Sequence, residues 1–292
     1  MLSSSKEPAD ASQVRFSVVI GLLAALLYAV APSESAVAQT TTANEGVVAS
    51  MAVDPVAVRA AGHIPSRWKL KLDSHGKALL VVFMYDGTAI INGTSRPYRW
   101  VSTSVYLDST NLPAGIHSTS DVEGVRADVY LLDWTTSSWA LASRLRAAGA
   151  GPAAEYVPAL NFSMGAGATP SFHFSAGRPA LSPFTFSAHL TPTFIPTSSD
   201  TVNFWRDAPT GTLKISTNDN RELLGQFLNW SLTTSPTTPL AHMMGAAKRT
   251  RSCSPAAAID PILGLAAHEG RLGCISRETF ANTSVSWTFF PK

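Results

Sequence analysis

Charge is scarce in this chain, and cysteine is scarcer still. Asp, Glu, Lys and Arg make up 14% of the 292 residues and leave a formal net charge of +2. That is too slight and too evenly spread for a surface that neutralises phosphates, so no nucleic-acid partner is expected. The one tight basic cluster, Lys248-Arg249-Thr250-Arg251, reads as the last turn of a helix complementing its dipole. Metal-ligand spacing is missing: the histidines at 63, 75, 117, 173, 189, 242 and 268 form neither H-x-H nor H-E-x-x-H. Phosphate loops and dinucleotide fingerprints are missing too, since Gly165-Ala166-Gly167 runs into Thr-Pro instead of a helix. Neither a metal nor an organic cofactor is expected.

Nucleophile motifs are equally thin. Ser66-Arg67-Trp68-Lys69 has S-x-x-K spacing, but Lys69-Leu70-Lys71-Leu72-Asp73 alternates like a strand where that motif needs a helix. Asn161-Phe162-Ser163-Met164-Gly165 carries Asn where a nucleophile elbow needs its first Gly. No catalytic residue is assigned. His173, between Phe172 and Phe174, and His189, alternating with Phe186, Ala188 and Leu190, point off the apolar faces of their strands and read as surface residues.

What is present begins at the N-terminus. Phe16 to Ala31 is an apolar run preceded by Arg15 and followed by Pro32, and Ala36-Val37-Ala38 has the small-residue spacing of a peptidase site. The segment reads as a signal peptide over residues 1–38, cut after Ala38, which sends the protein to the periplasm or outside the cell. A span needs about 20 apolar residues, so no membrane span is expected in the mature chain. Removing it takes Lys6, Arg15, Glu7, Asp10 and Glu34 and leaves 20 basic and 17 acidic residues. Only Cys253 and Cys274 carry thiols, and an even pair in an oxidising compartment points to a disulfide. His268 alone does not supply the ligands a metal pair would need.

Residues 39–50 (QTTTANEGVVAS) are small and polar and read as a flexible leader, followed by a single domain over 51–292 with no linker or repeat. Its dominant period is two. Stretches 78–86, 98–108, 125–134, 158–164, 184–193, 201–206, 211–217, 226–233 and 284–290 are rich in Val, Phe, Tyr, Trp and Thr and predict strands. So many strands imply a mainly β (α+β) fold: a large, bent antiparallel sheet or cone-like barrel with a few short helices. Helices are predicted from Asp54-Pro55 to Gly62, from Thr136 or Ser137 to Ala148, from Pro239 to Lys248 and around Ile259 to His268.

One cation breaks the strand pattern. Arg99 shares its face with Val101, Thr103, Val105 and Leu107, opposite Tyr98, Trp100, Ser102, Ser104 and Tyr106. If the aliphatic face is the inner one, Arg99 reaches inward and needs a carboxylate from a ligand or from the protein. An internal ion pair and a wet rim are the other two readings.

Three stretches in order resemble the acetoacetate decarboxylase-like superfamily. They are Val53-Asp54-Pro55 through Ala57-Val58 to Pro65, then Ala78 to Asp86 with Arg96-Pro97-Tyr98-Arg99, then Ser235-Pro236 through Pro239-Leu240-Ala241 to Gly245. The resemblance implies a cone-like antiparallel barrel with a central cavity, and a lysine that forms a Schiff base with a keto acid. The chain departs from it where that chemistry would sit: Ser143 to Ser163 holds no lysine, and Trp100 stands where the strand-entry motif has Glu. By face and position, none of Lys69, Lys71, Lys77, Lys214, Lys248 and Lys292 is expected to be buried.

The expectation is therefore an exported, non-catalytic β protein that binds a small, partly apolar molecule, with Arg99 meeting a carboxylate on it. Two other classes stay open. One is a lysine-independent lyase or hydrolase on the same fold, and the other is a structural or surface-interaction protein whose cavity is filled by side chains.

Overall fold

Period-two sequence becomes strand almost throughout. The computed structural model describes residues 36–91, 94–114, 116, 125–165, 171–176, 183–196, 200–252 and 275–291. In chain order it runs β1 (Ala36–Val53), α1 (Pro55–Ala61), β2 (Ala78–Ile91), β3 (Thr94–Tyr106), a 3-10 turn (Ser109–Asn111), β4 (Val125–Thr136) and α2 (Trp139–Leu145). Then come β5 (Ala154–Tyr156), β6 (Asn161–Gly165), β7 (Ser171–Ala176), β8 (Phe184–Pro196), β9 (Asp200–Ala208), β10 (Gly211–Thr234), α3 (Pro239–Met244), β11 (Lys248–Ser252) and β12 (Ile275–Pro291). The strands form one sheet in the order β12-β1-β2-β3-β4-β9-β10-β8-β7-β6, with β11 on β10 and β5 on β4. β12 also pairs with β10, so the path turns back toward its own start.

The expected mainly β architecture is what is seen, with one correction of detail. β4 pairs in parallel with both β5 and β9, which makes the large bent sheet mixed and not purely antiparallel. Curvature is visible in the side chains. Phe83 on β2 and Phe204 on β9 lie three strands apart in the order, about 14 Å across a flat sheet, yet their ring centroids are 5.4 Å apart. On that concave side Tyr85, Trp100 and Trp134 stack at 4.2 and 4.4 Å and pack with Phe83, Leu213 and Ile215. The convex side is covered as well: Val101, Val105, Leu80 and Val82 pack under α1, α3 and Trp68. Because both sides are buried, the aliphatic face of β3 is not the inner one. The face of Trp100, Ser102 and Ser104 lies in the concavity, so the inward position expected for Arg99 does not arise.

Other differences follow local chemistry. Residues 39–50, expected as a leader, form most of β1, paired with β2 on one side and β12 on the other. The two strands expected at 211–217 and 226–233 are a single strand of 24 residues, whose register shifts between Asn220 and Gln226 let it bend without losing its partners. α1 starts where expected, with Asp54 Oδ1 accepting from the amides of Val56 (2.8 Å) and Ala57 (2.9 Å). α3 stops earlier than expected because Gly245 takes a left-handed conformation (φ 67°), so Lys248-Arg249-Thr250-Arg251 is strand β11 and not a last helical turn. From that strand Arg249 still donates to the Met244 carbonyl at the end of α3. The predicted helix near Ile259 to His268, the Cys253–Cys274 pair and residues 1–35 lie outside the described residues.

Candidate functional site

Arg99 is where the sequence directs attention first. Its side chain is 36% exposed and its Nε lies 3.3 Å from Asp86 Oδ2, directly across the β2–β3 ladder. It donates from Nη1 to the Leu160 carbonyl at 3.0 Å, and its guanidinium carbon sits 5.7 Å from the Phe162 ring centroid. This is a rim ion pair, the protein supplying the carboxylate itself.

A different place meets the requirements of an apolar site with cationic anchors. α1 presents Pro55, Val56, Arg59 and Ala60 along one stripe, while Val58 turns to the core. Facing that stripe, Lys69, Leu70 and Leu72 complete a groove of about 520 Å³. Val56 is 74% exposed and Leu72 49%, two of the four large exposed apolar side chains among the described residues. Single exposed apolar residues need no explanation, but two lining one concavity mark a surface that gains by being covered.

The wall of the groove is fixed by polar contacts behind it. Arg59 donates from Nη1 to the carbonyls of Ile64 (3.2 Å) and Pro65 (2.8 Å) and from Nη2 to that of Trp68 (2.9 Å), tying α1 to the 62–69 turn. Arg67 is paired with Asp207 and donates to Thr212 Oγ1 at 2.7 Å, while Trp68 Nε1 donates to Asp207 Oδ2 at 3.2 Å. Trp68 is fully buried, 5.5 Å from the Tyr130 ring and 6.0 Å from that of Trp205. Burial pushes the Tyr130 phenol up from its ordinary value, so this stack is neutral. Leu70 and Leu72 bridge to Leu107 and Ala78. The groove is thus built on rigid parts.

Its electrostatics are one-sided. No carboxylate lines it, and among the described residues none pairs with Arg59 or Lys69. The guanidinium of Arg59 is met only by neutral carbonyls, and Lys69 is exposed. Asp54 lies beside the groove in sequence; the Ala57 amide foremost, with the Val56 amide, holds its carboxyl below the usual range. Those bonds turn it toward the helix end.

A second concavity, of about 500 Å³, lies on the outer face of β6, β7 and β8. Asn161, Ser163, His173, Ser175, Thr185 and Ser187 line it, and no charged side chain does. Phe162, Phe174 and Phe186 form its apolar floor, so it differs from the groove of α1 in lacking a cation. His173 and His189 are exposed, as expected from their strands. Ser66 sits in a turn, not on a helix, and residues 161–165 form an antiparallel strand, so neither nucleophile spacing has its required setting. Among the described residues no group of three or more His, Cys, Asp or Glu could hold a metal, and no helix is long and apolar enough to cross a membrane.

One expectation about the lysines fails. Lys214 is only 6% exposed, with its ammonium nitrogen 5.5 Å from the Trp205 ring centroid. Leu213 and Ile215 do face the concave core, but the opposite face of β10 is covered too, which alternation alone cannot reveal. Asp128, also buried, accepts from Trp205 Nε1 (2.8 Å) and Asn203 Nδ2 (3.1 Å).

The groove residues Val56, Arg59 and Lys69 were missed by the sequence reading. The signal was an i, i+3, i+4 stripe in α1 opposite Val58, followed by a lysine at the start of a short alternating segment. No protein-family model matches the chain, and no curated protein matches it. Among solved structures it is similar to the acetoacetate decarboxylase of Legionella pneumophila subsp. pneumophila str. Philadelphia 1, over 88% of this chain and 87% of that one, at 10% identity and a TM-score of 0.39.

Proposed function

We propose that this chain is an exported, non-catalytic protein that holds a small, partly apolar molecule bearing a carboxylate, in the groove between α1 and the 69–72 segment. The observation that carries the reading is the pairing of exposed apolar side chains, Val56 and Leu72, with two cations that have no carboxylate partner among the described residues. Ligand sites are mostly apolar with a few polar groups fixing orientation. Here the apolar floor takes the ligand's hydrocarbon, Lys69 takes its carboxylate, and Arg59 adds field without leaving its carbonyls.

The test is calorimetric titration with decanoate, and with decanol as its uncharged counterpart. A surface ion pair is worth up to about 1 kcal/mol, so Lys69→Gln lowers decanoate affinity about fivefold and leaves decanol unaffected. Val56→Asp sets a carboxylate against the ligand's own and removes apolar floor; affinity falls by about tenfold or more. Val56 is so exposed that this change leaves folding intact. Wild-type affinity in both variants would rule the groove out.

A further inference from the structure

Three polar atoms on the concave side of the sheet stand out. Ser102 Oγ, Ser104 Oγ and Trp134 Nε1 are buried and have no hydrogen-bond partner among the described residues. All three residues are fully enclosed. They are also neighbours. Ser102 lies directly across from Trp134 on β4 and from Phe83 on β2, and Ser104 lies across from Leu131 and Val81. The ladder between them is broken by a β-bulge, where Thr103 pairs with Asp133 and Ser104 with Leu131. Such bulges re-aim side chains and recur beside functional sites.

Buried polar atoms are almost always hydrogen-bonded in folded proteins, because stranding one forfeits the bonds it made in water. Three in one patch, flanked by Phe83, Val81 and Leu131, are not an accident of surface polarity. Successive same-face residues on a strand are about 7 Å apart. One oxygen at about 2.8 Å from each of two hydroxyls spans at most about 5.6 Å, so the two side chains share a guest by leaning toward each other.

We infer that the concavity contains a binding site for a neutral oxygen, held by Ser102, Ser104 and Trp134. The indole N–H can only donate, so the guest must offer a lone pair; the two hydroxyls can donate or accept, so a guest that carries a proton fits as well. A charge is excluded, because an isolated ion in this apolar surround would be too costly to bury. Water, and the carbonyl or hydroxyl of a small organic molecule, share this chemistry. The stacked rings of Tyr85, Trp100 and Trp134 form one wall of the site. It is separate from the groove of α1 and stands whether or not that groove binds a carboxylate.

The experiment combines Ser102→Ala, Ser104→Ala and the double variant with NMR of the Trp134 indole proton in the full folded protein. If a guest is held, each single change removes a bond and lowers Tm by about 2–4 °C. The double change costs less than the sum, because the guest is already lost. In the wild type the indole proton shows a contact with water, or solvent extraction of the denatured protein releases an organic carbonyl or hydroxyl compound; the two arms tell the sources apart. A Tm that stays or rises in either single variant overturns the proposal, since idle hydroxyls are better removed. An indole proton with no water contact, and an extract with no guest, overturns it too.

Discussion

At the scale of single residues, Arg99 and Lys214 teach opposite lessons about reading faces from alternation. Arg99 was singled out because it interrupts an aliphatic face, and the interruption is real. Its explanation is local: Asp86 lies directly across the ladder, and the side chain is half-open to water. Arg99→Met is therefore expected to cost less than about 1 kcal/mol and to leave decanoate affinity unchanged, as read by melting and titration of one sample. A loss of roughly 3–5 kcal/mol would mean that the pair is effectively buried. Lys214 shows the converse. Its neighbours Leu213 and Ile215 face one core, and the simplest inference puts the lysine in water. A second layer covers that side, with Trp205 against the ammonium. Which of two sheet faces is covered is a tertiary fact that periodicity does not carry.

At the scale of elements, the strands and the N-cap of α1 were the most legible features. Asp54 before Pro55 sets the start of α1 through two backbone amides, whereas the stop of α3 at Gly245, which adopts a positive φ, falls short of the end expected at Lys248. β2, β4 and β8 begin at the residues their alternation indicates. β1 was hidden, because small polar residues such as Gln39 to Asn44 carry no hydrophobic period; partners on both sides make it a strand. The expected cleavage after Ala38 has a simple relation to this strand. Among the described residues Ala36, Val37 and Ala38 pair only with β12, whereas Gln39 is the first residue paired on both sides, with Ile90 and Ser284. Cleavage there removes the one-sided end and keeps the two-sided ladder. Mass spectrometry of exported protein should find Gln39 first; a product beginning at Met1 in the membrane fraction would contradict the export proposal.

At the scale of the molecule, one sheet curls far enough to build two cores. The concave core is built around the stacked rings of Tyr85, Trp100 and Trp134, and the convex core is mostly aliphatic and roofed by α1, α3 and Trp68. A mainly β fold with few helices was legible from strand-forming stretches separated by turn residues. The groove was not, because it needs α1 to lie against the segment carrying Lys69. That arrangement is set by Arg59, and by Arg67 and Trp68 meeting Asp207, about 140 residues away in the chain. The central claim concerns this groove, and amide and methyl shift mapping during titration with decanoate tests it most directly. The account predicts saturable shifts at Val56, Ala60, Leu70 and Leu72, with none at β6, β7 or Arg99. Shifts confined to the concavity of β6–β8, or none that saturate, would contradict it.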